Sequence, residues 1–454
     1  MDATLDTGVE AERLVAQAET QDAFDYDPAE MRPLQIQAIN ERFQDRVHKI
    51  KLLQNRAEEG AISEVRSAND VVPLLFAHTA YKSYPESWLW DGKWDRLGRW
   101  LDTVSTNRIG PVDLAEVKGL DDWLARLEAQ GHYVSCSSGT TGKCAMMNAT
   151  AEDLAFSGRS LLNAIGWAGL KPSRDRRLVS IGGTASSPRA RASGGPMVEA
   201  LSAKDLAPLS PNVPPITVGA VTEMVALRKK VADGSATPSE VERYEAESAA
   251  RQKAIDSGIA QTVEAVIAHR HEKLHISTMF AALYRLAEQV RERGYSAKDF
   301  HPENSIYMTG GLKRAQVPAN YREVIFETFN LAPENTIMGY GMQELNSNAP
   351  RCSHGRYHVP VWAPLLLLDQ SGETLIEPPK TGEVEGRAAF FDLSLRGRWG
   401  GIISGDKVRA TWEACACGAR SPSIADDIQR YADTADGDKI ACSGTIDAYV
   451  RGVA

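Results

Sequence analysis

Long apolar runs are what this chain most lacks. The longest, at 361–368, is interrupted by Pro364 and falls far short of the roughly 20 residues a helix needs to cross a bilayer. Cysteine is scarce: six are scattered over 454 residues, which excludes a small disulfide-framed fold. Positive charge is not in excess either. Against 60 Asp and Glu there are 51 Lys and Arg, a net charge of −9, so neither nucleic acid nor an anionic membrane is expected as the main partner. The first residues are acidic and polar, without a charged-then-apolar leader pattern, and no segment repeats at a fixed period. These absences together predict a soluble, cytoplasmic protein. Its length accommodates two or three domains.

What is present is concentrated at 135–143, which reads Ser-Cys-Ser-Ser-Gly-Thr-Thr-Gly-Lys. Glycine and small hydroxyl residues let a backbone wrap closely around phosphates and donate amides and hydroxyls to them. Lys143 adds a cation at the end of the loop. A P-loop would need Gly six residues before that lysine and Ser or Thr directly after it. Ser137 and Cys144 occupy those places, so that motif fails twice.

Around this loop the patterns alternate. Residues 1–30 read as a loose arm, and 31–57 carries helical periodicity through Leu34, Ile39, Phe43 and Ile50. Trp88, Trp90, Trp94, Trp100 and Trp123 read as core filling. A strand end is expected at 132–135, a helix at 152–166 and a buried strand at 177–181. The Gly-, Ser- and Arg-rich stretch 182–195 reads as a surface loop, or as a lid over a ligand. Charge-rich helices are expected at 223–231 and 239–256; Thr237, Pro238 and Glu240 spell a capped helix start. From 305 onward the pattern is short strands: 305–309, 336–338, 359–368, 382–391 and 400–403. Strands alternating with helices predict a layered α/β domain, with a β subdomain appended at about 340–420.

The loop and several stations after it resemble the adenylate-forming superfamily, whose members activate a carboxylic acid with ATP. The likeness is nearest to phenylacetate–CoA ligase-like enzymes and acyl-protein synthetases. In the loop it assigns phosphate contacts to Ser137, Ser138, Gly139, Thr140, Thr141, Gly142 and Lys143. The segment 275–289 is similar to the helix before the substrate pocket. Tyr307-Met-Thr-Gly-Gly resembles the turn packing against adenine and the acyl group, through Gly310 and Gly311. Gly339-Tyr-Gly-Met-Gln-Glu resembles the Tyr-Gly-x-Thr-Glu motif. That likeness implies Tyr340 and Gly341 along the nucleotide and Glu344 on Mg²⁺, a hard cation that prefers carboxylate oxygen. Gln343 stands where the motif has Thr. Ser404-Gly-Asp-Lys-Val-Arg resembles Gly-Asp-x-x-Arg, implying Asp406 on the ribose hydroxyls with Arg409 beside it. Gln429-Arg-Tyr-Ala-Asp resembles the hinge, with Arg430 on ribose or phosphate and Asp433 as pivot.

A second cluster joins Cys352 and His358 to Cys415-Ala-Cys417. Four Cys and His ligands make a closed tetrahedral zinc site, and phenylacetate–CoA ligase-like members carry a similar set; unrelated cysteines are the alternative. Past the hinge, superfamily members continue into a small domain bearing a lysine for the first step. Here the sequence ends at Ala454, so the domain division expected is an arm at 1–30, the large domain at 31–425 and a hinge with stub at 426–454. Three outcomes stay open: a separate polypeptide supplies the missing function, the branch works without it, or the chain binds nucleotide without turnover. Cys442 is a candidate acyl acceptor. The implied activity is an AMP-forming acid–thiol ligase using ATP and Mg²⁺, with a structural Zn²⁺. A small-molecule carboxylic acid is the substrate and CoA the acceptor. Transfer to a protein thiol and a non-catalytic nucleotide-binding protein are the alternatives.

Overall fold

A computed structural model describes residues 9–136, 143–181, 187–309, 316–434, 437, 438 and 440. The chain divides into two units. One comprises Met1–Ser137, Ala145–Asn163 and Met342–Ala454; the other comprises Ser138–Cys144 and Ala164–Gly341.

In the first unit, Leu365–Leu368, Val384–Phe391 and Gly401–Thr411 pair antiparallel in that order. Ser423–Ala425 and Arg356–His358 extend the sheet, and Gln429–Arg430 pairs with the middle of Gly401–Thr411. Phe76–Ala77 adds in parallel, with Phe76 opposite Ile402. All four residues of Leu365–Leu368 and the last six of Val384–Phe391 are buried. These strands are covered on both faces, so their buried stretches do not alternate polar and apolar residues, and even Arg387 is buried among them. A Cβ on Gly400 would sit 2.3 Å from the Asp392 carbonyl, so only glycine fits there.

Helix Pro28–Arg46 starts on the Asp27 carboxylate, which accepts from the Ala29 and Glu30 amides, with Pro28 in the first position. Its buried face carries two arginines. Arg42 donates to the Leu393 carbonyl, and Arg46 to those of Leu395 and Arg398. These capped carbonyls fix the 393–398 turn. Trp362 and Trp399 are fully buried, with Phe24, Phe156, Phe43 and Phe391 edge-on around them. Trp88, Trp94, Trp100 and Trp123 are buried as expected, whereas Trp90 is exposed.

Several expectations need correction. Residues 9–27 are not a loose arm. Val9–Ala16 is a helix, followed by two short 3₁₀ turns, and Leu14 and Phe24 are fully buried. Glu12 anchors this segment to Arg42 and Arg396. The helix expected at 31–57 is two helices, Pro28–Arg46 and Lys51–Glu59, because Ile50 turns extended and inserts into the core. The run 359–368 yields a strand only at Leu365–Leu368; Pro360 and Pro364 lack the amides a ladder needs. Of the loop expected at 182–195, residues 188–195 belong to helix Pro188–Leu201, capped by Ser187.

The second unit holds four parallel strands, Arg177–Ser180, Leu274–Thr278, Ser305–Thr309 and Thr336–Tyr340, paired in chain order. Helices Phe280–Glu292 and Tyr321–Phe329 connect the later strands. Val218–Ala232 and Pro238–Ala268 form a helical hairpin. The Thr237–Glu240 capping box is present as the sequence predicts, with the Thr237 hydroxyl and Glu240 carboxylate satisfying each other's amides.

Candidate active site and metal centre

Parallel strands present ligand-binding loops at their carboxyl ends. In the second unit, Tyr307 lies opposite Ile337 and Thr309 opposite Gly339, so the Tyr307-Met-Thr and Gly339-Tyr-Gly motifs emerge side by side from one sheet edge. A Cβ on Gly339 would meet the Tyr307 hydroxyl at 3.2 Å. Glycine at 339 therefore lets the buried Tyr307 ring fill the space beneath the motif. Tyr340 and Lys143 are half-buried, and Gly341 is exposed. Cys144, next to the lysine, is buried and accepts a hydrogen bond from Thr222 at 3.7 Å. Ser137, Ser138, Gly139, Thr140, Thr141, Gly142, Gly310, Gly311 and Cys442 lie outside the described residues.

In the first unit, half-buried Glu344 is followed by a tightly held turn. Arg398 donates to the Glu344 carbonyl at 3.2 Å. One Asp392 oxygen accepts from the Asn346 amide (2.8 Å), the Ser347 amide (3.1 Å) and the Ser347 hydroxyl (2.9 Å). Its other oxygen takes the Ser394 amide and hydroxyl. The Trp362 indole donates to Ser347 Oγ, and the Asn346 side chain donates to buried Asp153. Sequence reasoning missed Asp392, Asp153 and Arg398; no motif surrounds them, and their partners lie far along the chain.

Asp406 and Arg430 are brought together. They face each other across paired strands, with Arg430 Nε 3.3 Å from Asp406 Oδ1. Asp406 is almost buried, while Arg430 stays mostly exposed. Arg409 is not brought to them. Three residues along the strand from Asp406, it points to the opposite, solvent-facing side and pairs with Asp427 and Glu383. Nearby, fully buried Arg387 donates to the Gln370 and Ser404 carbonyls and to Asp438, and lies 4.1 Å from the Tyr431 ring centroid. His78 Nε2 is 3.7 Å from Asp438, and its Nδ1 is buried without a partner. Burial lowers His78 to about 4 despite Asp438, which keeps the ring neutral at pH 7. Asp433 is exposed, in the short turn Tyr431–Asp433.

The second cluster is also assembled. One ligand atom from each of Cys352, His358, Cys415 and Cys417 lies within 4.8 Å of the others. Cys352 and Cys415 sulfurs are 3.9 Å apart, and Cys417 Sγ is 3.4 Å from His358 Nε2. Zinc–sulfur and zinc–nitrogen bonds in a tetrahedron imply edges of about 3.8 and 3.6 Å, so the donor set fits such an ion. Each cysteine side is a tight backbone turn, with the Cys352 amide donating to the Arg356 carbonyl and the Cys415 amide to that of Ala419. Burial first, then the adjacent Cys415 and Cys352 sulfurs, pushes the Cys417 thiol up to about 12. A cation at the centre reverses that balance.

No known family model matches this sequence, and no curated protein does. Solved structures do. The chain is similar to 2-hydroxyisobutyryl-CoA ligase in an open conformation with 2-HIB-AMP and CoA, at 12% identity. That alignment covers 90% of this chain and 72% of that one, with TM-score 0.54. The same ligase in the postadenylation state with R3-HIB-AMP aligns at 13% identity, 95% and 74% coverage and TM-score 0.52. At such identity the likeness is one of architecture. This chain has the α/β fold of the adenylate-forming enzymes, as its motifs implied. Among the described residues no helix is long and apolar enough to cross a membrane.

Proposed function

We propose that the chain is an AMP-forming acid–thiol ligase. It activates a small-molecule carboxylic acid with ATP and passes the acyl group to a thiol, for which CoA is our choice. The observation that carries this reading is the side-by-side emergence of the 307–309 and 339–341 motifs at one sheet edge of this fold. Asp406 is nearly dehydrated and charge-balanced by Arg430. It suits the two adjacent hydroxyls of a ribose, since a carboxylate can accept two hydrogen bonds. Tyr340 supplies a flat face for adenine. Lys143 neutralises phosphate charge. Mg²⁺, when bound, offsets charge on the phosphates, and Glu344, whose backbone leads into the fixed 346–347 turn, is the residue to hold it.

The chemistry is two displacements. A carboxylate oxygen attacks the α-phosphorus, giving acyl-AMP as pyrophosphate leaves. A thiolate then attacks the acyl carbon and AMP leaves. Positioning and charge neutralisation are what side chains contribute. Cys352, His358, Cys415 and Cys417 hold a structural zinc in this reading, all four positions of the tetrahedron being taken by protein.

The test is pyrophosphate release from Mg-ATP across aryl, short-chain and long-chain acids, with hydroxylamine trapping acyl-AMP as hydroxamate. Hydroxamate from one acid class supports the reading and names the substrate group. Intact ATP binding with no hydroxamate from any acid, with or without CoA, would reject it in favour of a nucleotide-binding protein.

A further inference from the structure

The metal cluster is wired to the N-terminal segment through one hydroxyl. Ser421 Oγ lies 2.6 Å from the Phe24 carbonyl oxygen and 2.9 Å from His358 Nδ1. A carbonyl can only accept, so the single serine proton points to Phe24. Ser421 Oγ must then accept from the imidazole, which places the ring proton on Nδ1. His358 Nε2 is left with its lone pair, on the side facing Cys417. That is the tautomer a metal requires, and the partner of the far ring nitrogen fixes it.

The two stretches flanking this link, 359–362 and 420–421, grip the segment at further points. The Arg420 amide and Nε both donate to Asp25 Oδ1, at 3.0 and 3.1 Å. The Val361 amide donates to the Ala23 carbonyl, and the Tyr26 hydroxyl to that of Val359. Phe24 packs edge-on against Trp362, with ring centroids 6.0 Å apart. His358 and Ser421 are wholly buried, so water cannot replace either partner.

We infer that Ser421 is a positioning residue for the metal centre, and that metal occupancy docks residues 23–26 onto this unit. The inference rests on the zinc reading of the cluster. Zinc holds the imidazole in place, the imidazole holds Ser421, and Ser421 holds Phe24.

Two measurements on the full chain test it. The first is zinc stoichiometry and affinity, by metal analysis and chelator competition, in wild type, Ser421→Ala and Ser421→Thr. We expect one zinc in wild type, affinity weakened about 10-fold or more in Ser421→Ala, and recovery in Ser421→Thr. The second is amide hydrogen exchange in wild type before and after zinc removal. The Val361 and Arg420 amides, which donate to the N-terminal segment, should exchange faster, while amides of Val384–Phe391 stay protected. Wild type without zinc removes the metal reading and this inference with it. Zinc-loaded wild type with unchanged affinity in Ser421→Ala removes the inference alone. So does exchange that stays slow at Val361 and Arg420, or that rises equally in Val384–Phe391.

Discussion

Single side chains carry the two sharpest expectations. Glu344→Gln keeps the size of the side chain and removes the charge that a hard cation needs. Hydroxamate formation should fall about 100-fold or more with the circular dichroism spectrum unchanged; wild-type turnover would end the Mg²⁺ assignment. Asp392 acts one step back. Its carboxylate takes five donors, three of them from residues 346 and 347. Asp392→Asn turns one acceptor oxygen into a donor facing other donors, at a cost of about 1–3 kcal/mol for a buried mismatch. The loosened turn should raise the Mg²⁺ concentration giving half-maximal rate. A folded Asp392→Asn variant with wild-type Mg²⁺ demand would show that Asp392 serves the fold and not Glu344.

At the scale of elements, the long helix Pro238–Ala268 shows what local chemistry can do unaided. Its first five turns are largely exposed, and among its described residues burial begins only at Gly258. With little packing to hold it, the start depends on the Thr237–Glu240 box and on Lys230, which reaches Glu240 at 2.6 Å. Thr237→Ala should cost about 1 kcal/mol locally, seen as faster exchange of the Glu240 amide, whose hydrogen bond Thr237 Oγ1 accepts. Unaltered exchange there would mean that the helix start is held by something else. Elements whose boundaries depend on packing behave differently. Nothing local stops the helix at Arg46; the chain turns because Ile50 is needed in the core. Likewise 9–27 lacks strong patterning, yet Glu12 and Phe24 find partners hundreds of residues away.

For the molecule as a whole, two histidines set an acid limit. Burial lowers His78 to about 4 and His275 to about 3; Arg176 adds to the effect at His275. His275 gives Nδ1 to a bond with Ser305 at 2.8 Å, and its Nε2 is buried without a partner. Unfolded, both rings titrate near 6.5. Below that pH the unfolded chain takes up protons that the folded chain refuses, so stability falls as pH drops from 6.5 toward 4. Each histidine contributes a slope of about 1.4 kcal/mol per pH unit. The urea midpoint of wild type should decline over this window, and His275→Asn, though less stable at pH 7, should decline less steeply. Parallel profiles for the two proteins would reject a neutral buried His275.

The sequence by itself determined what is local. Thr237, Pro238 and Glu240 specify a helix start, to which Lys230 of the preceding helix adds one ion pair. The segments 305–309 and 382–391, rich in β-branched and aromatic residues or bounded by glycine, were legible as strands. The Tyr307, Gly339 and Asp406 motifs announced their fold, because each is a short segment that enters or leaves one strand. Tertiary structure decided whatever depends on partners distant in sequence. It set Asp406 against Arg430 and turned Arg409 away, a consequence of strand pleat that a motif cannot state. It gave Asp392 the Glu344 turn to hold. It also closed the set of Cys352, His358, Cys415 and Cys417 that the sequence had already grouped, then linked that cluster through Ser421 to Phe24. No spacing rule reaches across 397 residues; only burial of all the partners in one core brings that hydroxyl and that carbonyl together.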